Sequence, residues 1–94
     1  MSNKAVSLIT TSSVLDANFN VFLINASGNI TVTCPNITAN GQNFTVKRID
    51  KTNNQVLIQG YAQSQTIEGA PYLNISSGGS YNNFVSYGGA WLLI

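Results

Sequence analysis

The stretch Phe19–Cys34, FNVFLINASGNITVTC, contains two short β-rich runs on either side of Ser27-Gly28. Ile30, Val32 and Cys34 alternate with Thr31 and Thr33, the period of a strand with one buried face. In the first run Val21 and Leu23 alternate with Phe22 and Ile24, so both faces are apolar. Gly and Asn between such runs accept the positive φ of a tight turn. The segment therefore reads as strand, turn, strand.

The same unit recurs along the chain. Further runs fall at Ala5–Thr10, Asn43–Asp50, Gln55–Gly60, Ser64–Ile67, Tyr72–Ser76, Asn83–Tyr87 and Trp91–Ile94, separated by Asn40-Gly41, Asn53-Asn54, Glu68-Gly69, Ser77-Gly78-Gly79-Ser80 and Gly88-Gly89. No segment sustains a 3.6-residue apolar period, so the fold class is all-β. The expected architecture is a single antiparallel β-sandwich, jelly-roll-like, over residues 19–94. Residues 1–18 are expected to precede it as an arm or connector, with Val6, Leu8 and Ile9 forming an edge strand or an arm that adds to a neighbouring subunit's sheet. Gly88-Gly89 is the clearest two-residue hairpin and Asn53-Asn54 the next.

A chain of 94 residues builds one core and one domain. Charged residues make up 7% and the net charge is +1, against about 25% charged in an ordinary domain, so electrostatic capture of nucleic acid or of an anionic membrane is not expected. The start, MSNKAVSLIT, is a poor secretory signal, and no run reaches the length of an apolar membrane span. Assembly in a cytoplasm without a signal peptide is the expectation, and the five Asn-X-Ser/Thr sequons are read as strand composition.

There is no histidine, which removes Ser-His and Cys-His nucleophile pairs and the commonest metal ligand. The carboxylates Asp16, Asp50 and Glu68 have plainer roles beside turns, so no catalytic residue, cofactor or metal is expected. The cluster Lys47-Arg48-Ile49-Asp50-Lys51 reads as solvated charge guarding a sheet edge in preference to an anion site. Cys34 reads as a small buried hydrophobe in preference to an intermolecular disulfide. Tyr61, Tyr72 and Tyr81 sit near turns among Asn and Ser, where aromatic rings serve as ligand platforms, and they are the candidate ligand-binding residues.

The last eight residues, YGGAWLLI, decide the expected assembly. Leaving Trp91, Leu92, Leu93 and Ile94 in water would forfeit about 1.5–3 kcal/mol each, against a net stability of roughly 5–15 kcal/mol. Several strands are apolar on both faces, and another copy of the chain is the economical cover for the second face. Val85, Tyr87, Trp91, Leu93 and Ile94 are accordingly the expected subunit interface.

From Val14 to Ile94 the chain resembles the small β-rich domains at the ends of phage tail fibres and related virus-like fibres. The matching pieces are VLDANFNVFLINASGNITVTCP, NGQNFTVKRIDKTNNQVLIQG, QTIEG and FVSYGGAWLLI. In them Cys34-Pro35, Gly41, Val46-Lys47-Arg48-Ile49, Thr66-Ile67-Glu68-Gly69 and Gly88-Gly89-Ala90-Trp91 take the places of the pattern, Cys34 standing where an aliphatic residue is usual. The resemblance implies a non-catalytic, trimeric module used for fibre folding, capping or attachment. More loosely, the chain is similar to small subunits of bacterial surface filaments such as endospore appendages.

Three functions follow as expectations. The leading one is a homotrimeric structural subunit that stacks end to end through residues 1–18 into a fibre, on a cell surface, virion or spore, with an anchor or tip protein as a further partner. The second is a fibre-tip adhesin recognising a cell-surface glycan. The third, a monomeric carbohydrate-binding module, requires the WLLI end to be covered within one chain.

Overall fold

The computed structural model describes residues 6–77, Gly79 and 81–94; Gly78 and Ser80 of the Ser77–Ser80 turn, and residues 1–5 of the expected arm, lie outside the described residues. The strands are β1 (Val6–Ile9), β2 (Ser13–Val14), β3 (Val21–Ile24), β4 (Ile30–Thr33), β5 (Asn43–Arg48), β6 (Val56–Gln59), β7 (Tyr72–Asn74), β8 (Tyr81–Tyr87) and β9 (Ala90–Leu93). Among the described residues there is no helix, so the all-β class holds. The strands form a five-stranded sheet in the order β1-β3-β5-β8-β9 and a four-stranded sheet in the order β2-β4-β6-β7.

Both sheets are mixed, where antiparallel sheets were expected. β1, β3 and β5 run parallel, as do β2, β4 and β6, and only β7, β8 and β9 pair antiparallel with their neighbours. Parallel neighbours need a crossover connection. Here each crossover is itself a strand of the opposite sheet, so the chain winds from one sheet to the other and back. Ser27-Gly28 is therefore a corner between β3 and β4 in different sheets, and Asn53-Asn54 is likewise a corner between β5 and β6. Successive corners are tied together: Asn25 N–H donates to Ile9 O at 2.8 Å and Ser27 N–H to Thr10 O at 3.1 Å, while Asn54 Nδ2 donates to Ala26 O at 3.1 Å. Gly88-Gly89 is a true hairpin turn, with φ of 62° and 80° between the paired Tyr87 and Ala90, as a type I′ turn requires.

The inward faces of both sheets share one core, built from Phe22, Ile24, Val46, Phe84 and Trp91 on one side and Ile30, Val32, Cys34, Val56 and Ile58 on the other. An aromatic series crosses the strands: Phe22 meets Phe44 edge-on at 5.7 Å, Phe44 stacks on its register partner Phe84 at 4.8 Å, and Trp91 meets Phe44 edge-on at 4.9 Å. Residues expected in an arm take part, because Ile9 and Leu15 are buried in this core and β1 is the edge strand of the larger sheet.

The cover for the C-terminal strand is largely the chain's own. Trp91 pairs with Ser86 and Leu93 with Phe84, residues of the inward face, so Trp91 is 0% exposed and Leu93 packs half-buried against the core. Trp91 is thus a core residue where an interface residue was expected. Strand parity is the reason: Leu92, one residue on, takes the outward place opposite Val85. The far edge of β9 is also closed. Trp91 N–H donates to Thr66 O at 2.8 Å, Glu68 N–H to Trp91 O at 2.9 Å, and Leu93 N–H to Glu68 Oε2 at 2.7 Å. Glu68 holds this position with φ of 52°, an uncommon conformation for a non-glycine residue, as the first residue of the Glu68-Gly69 turn.

Candidate functional site

The four-stranded sheet and the turn that follows β6 build one cleft. Gln59 ends β6 and Tyr72 begins β7, and the two are register partners. Their parity, opposite to buried Ile58, puts both on the outward face. Beyond Gln59 the chain turns through Gly60–Gln65, closed by Gln65 N–H donating to Ala62 O at 2.9 Å. A side chain at Gly60 would place its Cβ 1.6 Å from Gln65 O, so only glycine permits this tight return. Gln65 is pinned in turn. Its Nε2 donates to Asn36 Oδ1 at 2.8 Å and its Oε1 accepts from Ile37 N–H at 3.1 Å.

The result is a cleft of about 300 Å³ lined by Gln59, Tyr61, Gln63, Gln65, Pro71 and Tyr72 among others, none of them charged. Tyr61 and Tyr72 are 54% and 53% exposed. Gln59 Nε2 donates to Thr33 Oγ1 at 3.0 Å, which orients its amide. Of the three tyrosines expected to bind a ligand, the fold thus brings two together. Tyr81 stands apart, in β8 opposite Lys47, on the outward face of the other sheet. The glutamines and Pro71 were not foreseen. For Gln59 a signal existed, since it continues the outward parity of Leu57, but its pairing with Tyr72 depends on topology.

The Lys47–Lys51 cluster divides by parity. Lys47 and Lys51 are exposed, whereas Arg48 and Asp50 are 2% and 7% exposed, a correction to the reading of this cluster as solvated charge. Arg48 follows Phe44 and Val46 on the inward face of β5, and its guanidinium closes that end of the core. Nη2 lies 3.0 Å from Asp50 Oδ2 and 2.5 Å from Asn54 O, Nη1 donates to Ile75 O at 2.7 Å, and Nε lies 3.1 Å from Asp50 Oδ1. Asp50 Oδ1 also accepts from Ala26 N–H at 3.1 Å, and Oδ2 accepts from Thr52 Oγ1 at 2.5 Å. The Arg48 hydrogen bonds, with lesser help from Thr52 and Ala26, outweigh burial and hold the Asp50 carboxyl well below the usual carboxylate range. With Nη1, Nη2 and Nε all engaged inside the protein, Arg48 is committed to structure and not to an external anion.

Cys34 is 0% exposed in the core, and burial pushes its thiol up to about 12. A thiol reagent such as a maleimide should therefore modify the native protein far more slowly than the unfolded chain at pH 8, because the thiolate is the reactive form. Equal rates in the two states would refute the buried assignment.

The expected contact residues are divided by the same two faces. Val6, Leu8, Tyr87 and Ile94 are more than half exposed, Val85 is half-buried on the outward face, and Ile9 and Trp91 point into the core. Among the described residues no group of three or more His, Cys, Asp or Glu is placed to hold a metal. The chain matches no protein-family model and no curated protein.

Proposed function

We propose that the chain is a non-catalytic structural subunit of an extracellular fibre, trimerising through the outward face of its C-terminal strands and stacking through its N-terminal edge. The observation that carries this reading is the outward face of the five-stranded sheet. There Val6 aligns with Val21 and Leu8 with Leu23 at the β1 edge, while Val85 aligns with Leu92, beside Tyr87, at the other side. Polar Thr45 and Lys47 of β5 separate the two strips, and Thr45 Oγ1 is bonded to Asn83 Oδ1 at 2.6 Å. Two separate apolar strips suit two separate contacts, one within a trimer and one between trimers. Such a fibre would be displayed on a cell, virion or spore and assembled in a cytoplasm.

Point substitutions on outward side chains test this without disturbing the core. Leu8→Lys should leave trimers by light scattering but abolish filaments in negative-stain microscopy, and Val85→Asp should give monomers. A wild-type protein that is monomeric at high concentration would refute the proposal, and filaments that persist in Leu8→Lys would refute the role of the N-terminal edge.

A further inference from the structure

We infer that the cleft between the Gly60–Gln65 turn and Pro71-Tyr72 is a binding site for an uncharged saccharide. The inference rests on the cleft alone and holds whether or not the chain forms fibres.

Three properties of the cleft select this ligand class. The first is its unspent hydrogen-bonding capacity. The side chains of Tyr61, Tyr72 and Gln63 make no hydrogen bond to any described residue, and the Gln59 side chain uses only its Nε2. Two hydroxyls, a whole amide and an amide oxygen therefore offer donors and acceptors together, which matches hydroxyl groups that both give and accept. The second is the pair of half-exposed aromatic rings, which provide flat apolar surface with a polar tip, suited to the C–H face of a sugar ring. The third is charge. No lining residue carries a charge, so an acidic sugar or phosphate would gain no partner for its charge within the cleft. A purely apolar ligand would instead desolvate the tyrosine hydroxyls and the Gln63 amide without replacing their bonds to water.

The walls are already in place. Gly60 fixes the path of the turn, and Gln65 is held by Asn36 and Ile37, so little backbone ordering is left for binding to carry out. The volume, about 300 Å³, lies at the small end of ligand clefts and fits the end or a short run of a glycan more than a large branched structure.

The test is an amide-resolved NMR titration of the ¹⁵N-labelled protein with neutral malto-, cello-, chito- and galacto-oligosaccharides, with sialyllactose and a proline-rich peptide as competing classes. At least one neutral series should shift the amides of residues 60–65 and Tyr72 saturably. Tyr61→Ala and Tyr72→Ala should each weaken that binding by roughly tenfold or more, as expected for aromatic anchors, while Tyr81→Ala should leave it unchanged. Both tyrosines are exposed, so an unaltered amide pattern elsewhere verifies the fold. No shift with any neutral series, shifts with the acidic sugar or the peptide alone, or binding that survives both alanine variants would each overturn the inference. A fibre that forms normally but binds no saccharide would refute this site while leaving the structural role standing.

Discussion

Replacing Arg48 by methionine should lower the unfolding free energy by about 3–5 kcal/mol, the usual cost of removing one partner of a buried ion pair. Asp50 would remain with its carboxylate enclosed, Ile75 O and Asn54 O would lose their donor, and the corners at Ala26 and Asn54 would lose the hub that joins them. For a chain with roughly 5–15 kcal/mol in total, that is a large share. A denaturant melt at pH 7 measures it, and a change below about 1 kcal/mol would contradict the role assigned to this pair. The double replacement Arg48→Met with Asp50→Leu should recover part of the loss, because no uncompensated charge is left.

The same pair sets a pH dependence whose sign follows from the direction of the shift. The folded protein holds Asp50 below its unfolded value, so below about pH 5 the unfolded state binds more protons and stability rises with pH. The contribution is fully present above the unfolded carboxylate value of about 3.9 and is lost as the pH falls through the folded value. Melts between pH 6 and pH 2 should show a steeper acid decline for the wild type than for Asp50→Asn. Parallel declines would refute it.

Trp91→Ala is the second change expected to be severe, at about 3–5 kcal/mol. The indole is fully buried beside Phe44, in an aromatic series whose members are held by four neighbouring strands, β3, β5, β8 and β9. Trp91→Phe should be much milder than Trp91→Ala. The buried indole Nε1 has no acceptor among the described residues, so phenylalanine forfeits volume but no hydrogen bond to oxygen or nitrogen. Thermal melts of the two variants decide the matter, and equal losses would mean that the indole nitrogen contributes more than packing.

Much of the local structure is legible in the chain. Alternation placed Val32 and Cys34 on one buried face, and Gly88-Gly89 marked the hairpin it forms. What alternation does not encode is the partner of a strand. Ser27-Gly28 and Asn53-Asn54 have the residue types of hairpin turns, yet the same backbone freedom serves a corner that sends the chain into the opposite sheet. Local sequence states that the direction reverses or bends; which strand lies alongside is decided by how two apolar faces close over one core. Arg48 shows a signal overlooked, since Phe44, Val46, Arg48 and Asp50 share one parity and the buried pair could have been read from that series. Trp91 and Leu93 share one strand face by alternation, but only the register with Ser86 and Phe84 shows that this face is the inward one. The tyrosine cleft was only half legible. The rings stand out by composition, but the meeting of Tyr61 and Tyr72, and the exclusion of Tyr81, depend on β6 and β7 being neighbours.

The strand directions have a mechanical consequence. β1, β3 and β5 run one way, β8 runs the other, and β9 returns to the direction of β1. The chain therefore enters the five-stranded sheet at one end of β1 and leaves at the opposite end of β9, across the full width of that sheet. Tension between those two points has a component along the strands, which loads neighbouring strands to slide past each other as well as to separate. To the extent of that component the interstrand hydrogen bonds share the load in shear, unlike a force that peels an edge strand away and opens them one by one.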